Sequence, residues 1–289
     1  MSSLDRMLGI LDLFDEKQPV WTVEQAMKQT GFSRSTIYRY FKSLNRSGLL
    51  APSHAGSYVL GPAIIELDRQ IRGCDPLLSA AIPIAEELAR ASGEAVVIAQ
   101  PYRNKVLCIH LEPGRNEAPG DFSRGRSMPL FAGASSKAIV AHLPPRRLKT
   151  LFKEHEGELG RYGLSSDWLG FRRDMRVIRR AGVCVTRDEV ARQIIGIAAP
   201  VLDGEQGIVA SIGIQMMDRP GANERVPPLS EMVREAARRV GQSLAHFAAQ
   251  AARRLAATES AETPDGWRKA QPITPKPATP STASRGSTS

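Results

Sequence analysis

The fold of this chain is decided by residues 22–50, TVEQAMKQTGFSRSTIYRYFKSLNRSGLL. Thr22 precedes Gln25 by three residues, the spacing of a capping box, which predicts a first helix over residues 23–29. Gly31 can take the left-handed conformation that closes a helix. Ser33 is a favourable N-cap for a second helix that runs to about residue 46. Two helices joined by a glycine turn are typical of a helix-turn-helix.

The second helix has two chemically different faces. Apolar side chains at helical spacing (Ile37, Phe41, Leu44 and the ring of Tyr40) predict a buried face. Residues 25–65 contain five Lys or Arg and no Asp or Glu, so the other face is basic. A basic face is often merely solvated, but short hydroxyl side chains beside an Arg at the helix start suit contact with phosphate. The predicted DNA contacts are Arg34, Ser35, Thr36, Tyr38, Arg39 and Lys42.

A small β-hairpin is predicted directly after this helix. The sequence of residues 51–62, APSHAGSYVLGP, places a turn at residues 54–56 and a strand at residues 57–60. An apolar helix over residues 4–14 precedes the pair of helices and supports them. Residues 1–62 are therefore predicted to form a winged helix-turn-helix domain.

Length and composition bound the remaining possibilities. A chain of 289 residues predicts two domains and a tail, and a net charge of +9 is consistent with a phosphate-rich partner. The three cysteines, Cys74, Cys108 and Cys184, are too widely spaced for an obvious metal site or a disulfide framework, and no cofactor motif is present. Without a signal peptide or an apolar run of about 18 residues, the chain is expected to be soluble and cytoplasmic, with no membrane partner.

The second domain is predicted to be of the α+β class. Residues 63–76 are expected to form a linker helix that contributes to a dimer contact, and residues 77–250 mix helices with strands in a mostly antiparallel sheet. The predicted strands cover residues 95–99, 106–111, 183–186, 194–202 and 208–216. From residue 251 to residue 289 the chain is rich in Pro, Ser and Thr, which predicts a disordered tail.

Several segments, in the same order, resemble the IclR-type bacterial transcriptional regulators. They are the winged-helix segments above and, further on, GRSMPLFAGASSKAIVAHLP (125–144) and AGVCVTRDEVARQIIGIAAPVLDGEQGIVASIGIQ (181–215). The resemblance covers roughly residues 3–248. The stretch STIYRYFKS also looks like the recognition helix of TetR-type repressors, but those proteins are all-helical and lack a wing.

The resemblance implies a ligand-responsive regulator that binds a palindromic double-stranded DNA operator as a homodimer or a dimer of dimers. It also implies that a small carboxylic acid binds in the second domain. Carried over residue by residue, the implied effector contacts are Met128, Ala134, Ser135, Thr186, Gly196, Gly213 and Gln215.

The chain departs from the family pattern at four of these positions. Thr186 stands where the family has an acidic residue, Gly196 where it has a small polar one, and Gly213 and Gln215 where it has two serines, whereas Glu189 keeps the family's glutamate. These changes predict a roomier, less acidic pocket that suits a larger or aromatic acid. Two alternatives stay open: the glycines only let strands approach closely, and Ser135 and Ser136 are only helix caps.

An enzyme acting on a small carboxylic acid is the alternative function. The chain has no G-x-S-x-G elbow, no phosphate-binding loop and no H-E-x-x-H motif. Its five histidines fall on separate predicted elements, with no carboxylate or cysteine at a catalytic spacing. We therefore expect binding rather than catalysis.

Overall fold

A computed structural model describes residues 2–116, 122–204 and 207–261 of the chain. The N-terminal part consists of helices α1 (Ser3–Leu8), α2 (Val23–Thr30) and α3 (Arg34–Arg46) and strands β1 (Trp21–Thr22), β2 (Leu50–Pro52) and β3 (Ser57–Leu60). The strands form an antiparallel sheet in the order β1-β3-β2. The winged helix-turn-helix is thus confirmed.

The predicted signals at the helix ends are present. Thr22 Oγ1 accepts the N–H of Gln25 at 3.2 Å, and the Gln25 side-chain oxygen accepts the N–H of Thr22 at 2.9 Å, which completes the capping box. Gly31 ends α2 with a φ of +72°. Ser33 caps α3 by accepting the N–H of Thr36. The bounds of both helices therefore follow from local sequence.

The support helix differs from its prediction. Instead of one helix over residues 4–14, α1 ends at Leu8 and a short 3-10 segment, Gly9–Leu13, follows. Glycine at residue 9 disfavours continuation of an α-helix. Ile10 is the buried residue of this segment and joins a core built from α2, α3 and the first strands. The apolar residues thus pack against the pair of helices as predicted, but the prediction of one continuous α-helix is wrong.

The second part contains the remaining elements, in which groups of helices alternate with groups of strands. They are α4 (Ala63–Cys74), α5 (Pro76–Ser92), β4 (Ala95–Tyr102), β5 (Lys105–Glu112), β6 (Ser127–Met128), α6 (Ala134–Ala141), α7 (Pro145–His155), α8 (Trp168–Ala181), β7 (Cys184–Arg187), β8 (Ile194–Asp203), β9 (Gly207–Met217) and α9 (Ala222–Ala261). The strands form one sheet in the order β6-β5-β4-β9-β8-β7, and every neighbouring pair is antiparallel. The α+β prediction is confirmed.

This sheet is covered on both faces. Val96 and Ile98 of β4 pack in a core with α5 and α9, whereas the alternating residues Val97 and Ala99 pack in a second core with α6, α7 and α8. Burial of about 25 cal/mol per Å² of apolar surface on each face drives this arrangement. The second face matters for function, because α6 lies there across β8 and β9.

The end of the chain departs from the predicted tail boundary. The helix α9 does not stop at residue 250 but continues to Ala261. The residues that extend it, AARRLAATESA, are rich in alanine, the strongest helix former. The helix therefore extends past the predicted start of the tail at residue 251, and the rest of the predicted tail, residues 262–289, lies outside the described residues.

Candidate functional site

The outer face of α3 carries a stripe of exposed polar side chains. Ser35, Tyr38, Arg39, Lys42 and Arg46 are all exposed and follow the helical repeat of three or four residues. Tyr38 has 57 % of its surface exposed, which is high for an aromatic residue. Arg46 was not among the predicted contacts, although its spacing of four from Lys42 was visible in the sequence. The stripe is a ready surface for a groove of DNA.

Two predicted contacts lie off this stripe. The Arg34 guanidinium is 3.0 Å from the carboxylate of Glu24 on α2, and both side chains are exposed. Thr36 is half-buried, and its hydroxyl lies 2.9 Å from that of Ser33 within the helix cap. An exposed ion pair is worth little, so Arg34 can readily exchange Glu24 for phosphate. Thr36 is the least available of the six.

A cavity in the second part brings all seven implied effector positions together. Met128, Ala134, Ser135, Thr186, Gly196, Gly213 and Gln215 line it. Thr186, Gly196 and Gln215 form one row across β7, β8 and β9, because they are register partners in the sheet. The volume of the cavity is about 30 Å³. The cavity is therefore a narrow slot.

The start of α6 forms one wall of this slot. Gly133 is the N-cap and has no side chain of its own to cap the helix, and neither Ser135 nor Ser136 takes that role, so the interpretation of the two serines as caps is wrong. The Ser136 hydroxyl is buried and has no hydrogen-bond partner among the described residues. Uncapped N–H groups and the positive end of the helix dipole attract an anion. Ser136 was considered in the sequence but is not among the seven implied positions, and its buried hydroxyl and its place in the lining are known only from the structure.

An ion pair between the buried Lys137 and the half-buried Glu189 lies beside the slot. Glu189 accepts the N–H of Gly133 at 2.9 Å, and its other oxygen lies 2.5 Å from Lys137 Nζ. Lys137 also donates to the Tyr162 carbonyl at 2.7 Å. The expectation of a less acidic pocket is thus incomplete: Glu189 lines the slot, but its charge is matched by Lys137. Glu189 comes from the loop between β7 and β8, which also contributes Val190 to the lining.

The two glycines have different roles. A Cβ at Gly213 would lie 2.5 Å from the Ile197 carbonyl oxygen and 2.9 Å from Ala198 Cα, so this glycine lets two strands approach closely. The interpretation that Gly213 makes room for a ligand is wrong. A Cβ at Gly196 would instead meet Thr186 Oγ1 at 3.2 Å and Ala134 Cβ at 3.4 Å, within the slot. Of the two, Gly196 is the one that leaves space beside the start of α6.

The rest of the lining is mainly apolar. Val97, Phe122, Ala132, Val190, Ile194 and Ile214 contribute to it. Four of them, Val97, Ala132, Ile194 and Ile214, lie in apolar runs, so the sequence did not distinguish them from ordinary core positions. An apolar slot with a few polar groups at one end is the usual composition of a small-molecule site.

Two histidines lie beside carboxylates, which the sequence analysis did not predict. His110 Nε2 lies 3.2 Å from a carboxylate oxygen of Glu112, and His155 Nδ1 lies 3.6 Å from one of Glu158, so carboxylates do stand near two histidines. Neither pair lines the slot.

The buried Cys184 thiol has a raised pKa. Burial raises this pKa to about 12, whereas Lys137 lowers it and Glu189 raises it to lesser extents, so the thiol stays protonated at neutral pH.

Neither a metal centre nor a membrane span is found within the described residues. They contain no group of three or more His, Cys, Asp or Glu arranged to hold a metal ion. None of their helices combines the length and the apolar character needed to cross a bilayer.

Comparison with known proteins gives consistent matches over both parts of the chain. Residues 3–53 match the family described as "IclR helix-turn-helix domain", and residues 74–242 match "Bacterial transcriptional regulator IclR C-terminal". The HTH-type transcriptional regulator KipR of Bacillus subtilis is 25 % identical over 83 % of this chain and 96 % of its own length. The glycerol operon regulatory protein of Streptomyces coelicolor is also 25 % identical, over 84 % of this chain and 96 % of its own length.

Solved structures show the same fold. A crystal structure of an IclR transcriptional regulator from a Silicibacter species covers 84 % of this chain and 96 % of its own, with a TM-score of 0.74 and 16 % identity. An IclR homologue from Microbacterium hydrocarbonoxydans, complexed with 4-hydroxybenzoate, covers 84 % of this chain and 99 % of its own, with a TM-score of 0.66 and 23 % identity. The family matches, which together span both the DNA-binding and the C-terminal parts, establish that this chain belongs to the IclR family of bacterial DNA-binding transcriptional regulators.

Proposed function

We propose that this regulator senses a small organic carboxylic acid, aromatic acids included, in the slot at the start of α6. One observation carries the proposal: the first-turn N–H groups of α6, which no N-cap side chain satisfies, and the buried Ser136 hydroxyl, which has no hydrogen-bond partner among the described residues, belong to residues that line the same slot. A carboxylate would satisfy both, and the apolar lining would hold the rest of the molecule. The homologue solved with 4-hydroxybenzoate has the same fold.

The narrowness of the slot suggests how binding is linked to conformation. An aromatic acid does not fit into about 30 Å³ of open space, so the wall must move. The loop between β7 and β8 is suited to this, since non-glycine residues with positive φ stand at both its ends, Asp188 at +55° and Gln193 at +58°. An acid that prefers the opened loop would shift the population of the two states.

For DNA we propose that α3 enters the major groove of a palindromic operator. The stripe defined above presents Arg39 in its middle, one turn from Ser35. Arg39→Ala is expected to weaken specific binding by about 1–3 kcal/mol, because a guanidinium that pairs with a guanine edge is lost. Binding titrations on a selected operator and on a scrambled duplex of equal length measure this loss.

Lys42→Ala provides the matched comparison on the same stripe. A lysine that contacts phosphate contributes equally to all sequences, so its loss should lower affinity for both duplexes and reduce the salt dependence by about one counterion. Unchanged operator binding by Arg39→Ala would show that another face of α3 meets the bases.

A palindromic operator has two-fold symmetry and is matched by a protein dimer with the same symmetry. We propose that α4 supplies part of this homodimer contact, both in a dimer and in a dimer of dimers. No residue of α4 is buried, and its large apolar side chains Ile65, Leu67 and Ile71 are exposed. A second copy would cover such an apolar surface. We expect Leu67→Glu combined with Ile71→Glu to yield the single-chain mass of 31.5 kDa in sedimentation equilibrium. Gln70→Glu, which adds charge to an already polar position, should leave the assembly intact.

We further propose that the slot binds its acid without transforming it. The two histidine–carboxylate pairs lie outside the slot, and no catalytic motif accompanies them. Prolonged incubation with an acid that binds should return it unchanged, as measured by chromatography. Turnover that is lost in a slot variant would instead favour the enzyme alternative.

A further inference from the structure

A groove between α7 and α8 reaches the C-terminal end of α6, whereas the effector slot lies at its N-terminal end. The groove is lined by Ala141, Leu143, Pro145, Arg146, Leu148, Lys149, Trp168, Arg172, Met175, Arg176 and Arg179. None of these described residues also lines the slot. The volume of the groove is about 490 Å³, compared with about 30 Å³ for the slot. This volume is in the range of small-molecule sites.

The walls of the groove carry positive charge that is not neutralised. Arg179 is engaged, because it donates to the carbonyls of Ala141 at 2.8 Å and Leu143 at 3.3 Å. The other cations have no ion-pair partner among the described residues, and they are Arg146, Lys149, Arg172 and Arg176. Asp174, the one acidic residue of α8, instead accepts the N–H of Ser165 at 2.8 Å. Within the part of the chain that the structure describes, four cations therefore surround the groove without a carboxylate to balance them.

The floor of the groove is apolar and firmly positioned. Leu148 and Met175 are buried, and the Trp168 ring is held by Phe152 and Phe171 at centroid distances of 5.5 and 6.3 Å. An aromatic surface that is fixed from behind can stack with a ligand at little entropic cost. Cations on two walls around such a floor complement a molecule that is apolar in the middle and anionic at its ends.

We propose that this groove is a second ligand site, which takes an amphiphilic anion: an aromatic or acyl group that carries two or more negative charges. Inorganic phosphate would use the walls but not the floor, and an uncharged hydrocarbon the floor but not the walls. The site is independent of the proposed carboxylate sensing, although α6 connects the two. Ligand at Ala141 and Leu143 would contact one end of the helix whose other end faces the slot.

The test uses the full-length protein and bis-ANS, a dianionic aromatic dye whose fluorescence rises in apolar surroundings. We expect saturable binding that Arg172→Ala combined with Arg176→Ala weakens by about tenfold or more, since two charge-assisted contacts are lost. Arg146→Glu combined with Lys149→Glu, on the opposite wall, should have at least the same effect. The uncharged dye N-phenylnaphthylamine should bind these variants and the wild type equally.

The matched control is Arg173→Ala combined with Arg180→Ala. These residues are exposed on the same helix but do not line the groove, so dye affinity should stay within about twofold of wild type. An equal loss in this control would show a general charge effect and overturn the proposal. Wild-type affinity for bis-ANS in both groove variants would overturn it as well. So would loss of dye binding in Gly196→Val, because the dye would then occupy the effector slot.

Discussion

Replacement of Gly213 by leucine is expected to prevent stable folding of the second part of the chain. The new Cβ would lie 2.5 Å from the Ile197 carbonyl oxygen and 2.6 Å from Ala198 Cβ, and neither can move without distorting β8. The penalty should exceed the roughly 1–3 kcal/mol that is typical of an overpacked core, because backbone rather than side chains must yield. Chemical denaturation of the purified variant measures its free energy of unfolding. If no folded variant can be purified, that result is itself the expected loss of folding.

Gly196→Ala is the matched control on the neighbouring strand. Its Cβ would come no closer than 3.2 Å, to the Thr186 hydroxyl, so a small shift of a side chain suffices. The free energy of unfolding should change by about 1 kcal/mol or less. A Gly213→Leu protein as stable as this control would contradict the close approach of β8 and β9.

The second large effect is expected from Glu189→Ala. Removal of this carboxylate leaves Lys137, whose side chain is 8 % exposed, without its ionic partner. A buried charge that loses its partner typically costs about 3–5 kcal/mol of stability. The free energy of unfolding should fall by an amount in this range, as measured in urea.

Two comparisons show whether burial is the cause. Glu189→Ala combined with Lys137→Met removes both charges and should recover much of the lost stability. Glu235→Ala breaks an ion pair with Arg238 that also measures 2.5 Å but is more than half exposed on both sides, so it should change stability by less than about 1 kcal/mol. Equal losses in Glu189→Ala and Glu235→Ala would refute the buried-charge explanation.

Local signals explain why the DNA-binding part was predictable in detail. The capping box at Thr22, the glycine at residue 31 and the cap at Ser33 each act within a few residues, so the bounds of α2 and α3 could be predicted from the local sequence. The stripe on α3 follows from helical periodicity alone. The end of α1 before Gly9 was not predicted. It depends on whether one glycine is enough to end a helix whose apolar repeat continues beyond it.

The effector slot was predictable only in part. Its seven implied positions came from family resemblance, and the sheet brings them together because Thr186, Gly196 and Gln215 share one register row. The role of Gly213 could not be read from sequence, since a glycine in a strand either opens space or permits close approach. The hydroxyl of Ser136 and the pairing of Glu189 with Lys137 also depend on contacts between residues far apart in the chain.

The groove between α7 and α8 shows the same limit. The sequence of α8 contains five arginines, but such a helix usually indicates only a solvated face. Packing places Trp168 and Met175 between the charged walls, and this combination exists only in the folded chain.

Operator binding in the presence of an acid decides whether the slot is a sensor. A duplex selected by the protein from a random pool is titrated with and without small monocarboxylic acids, 4-hydroxybenzoate among them, for the wild type and for Gly196→Val. Valine at residue 196 would fill the space beside Ala134, and a thermal melt verifies that the variant folds. We predict that an acid changes wild-type affinity by about fivefold or more, while the variant binds the operator equally well and ignores the acid. A folded Gly196→Val protein with the full response would contradict effector binding in this slot.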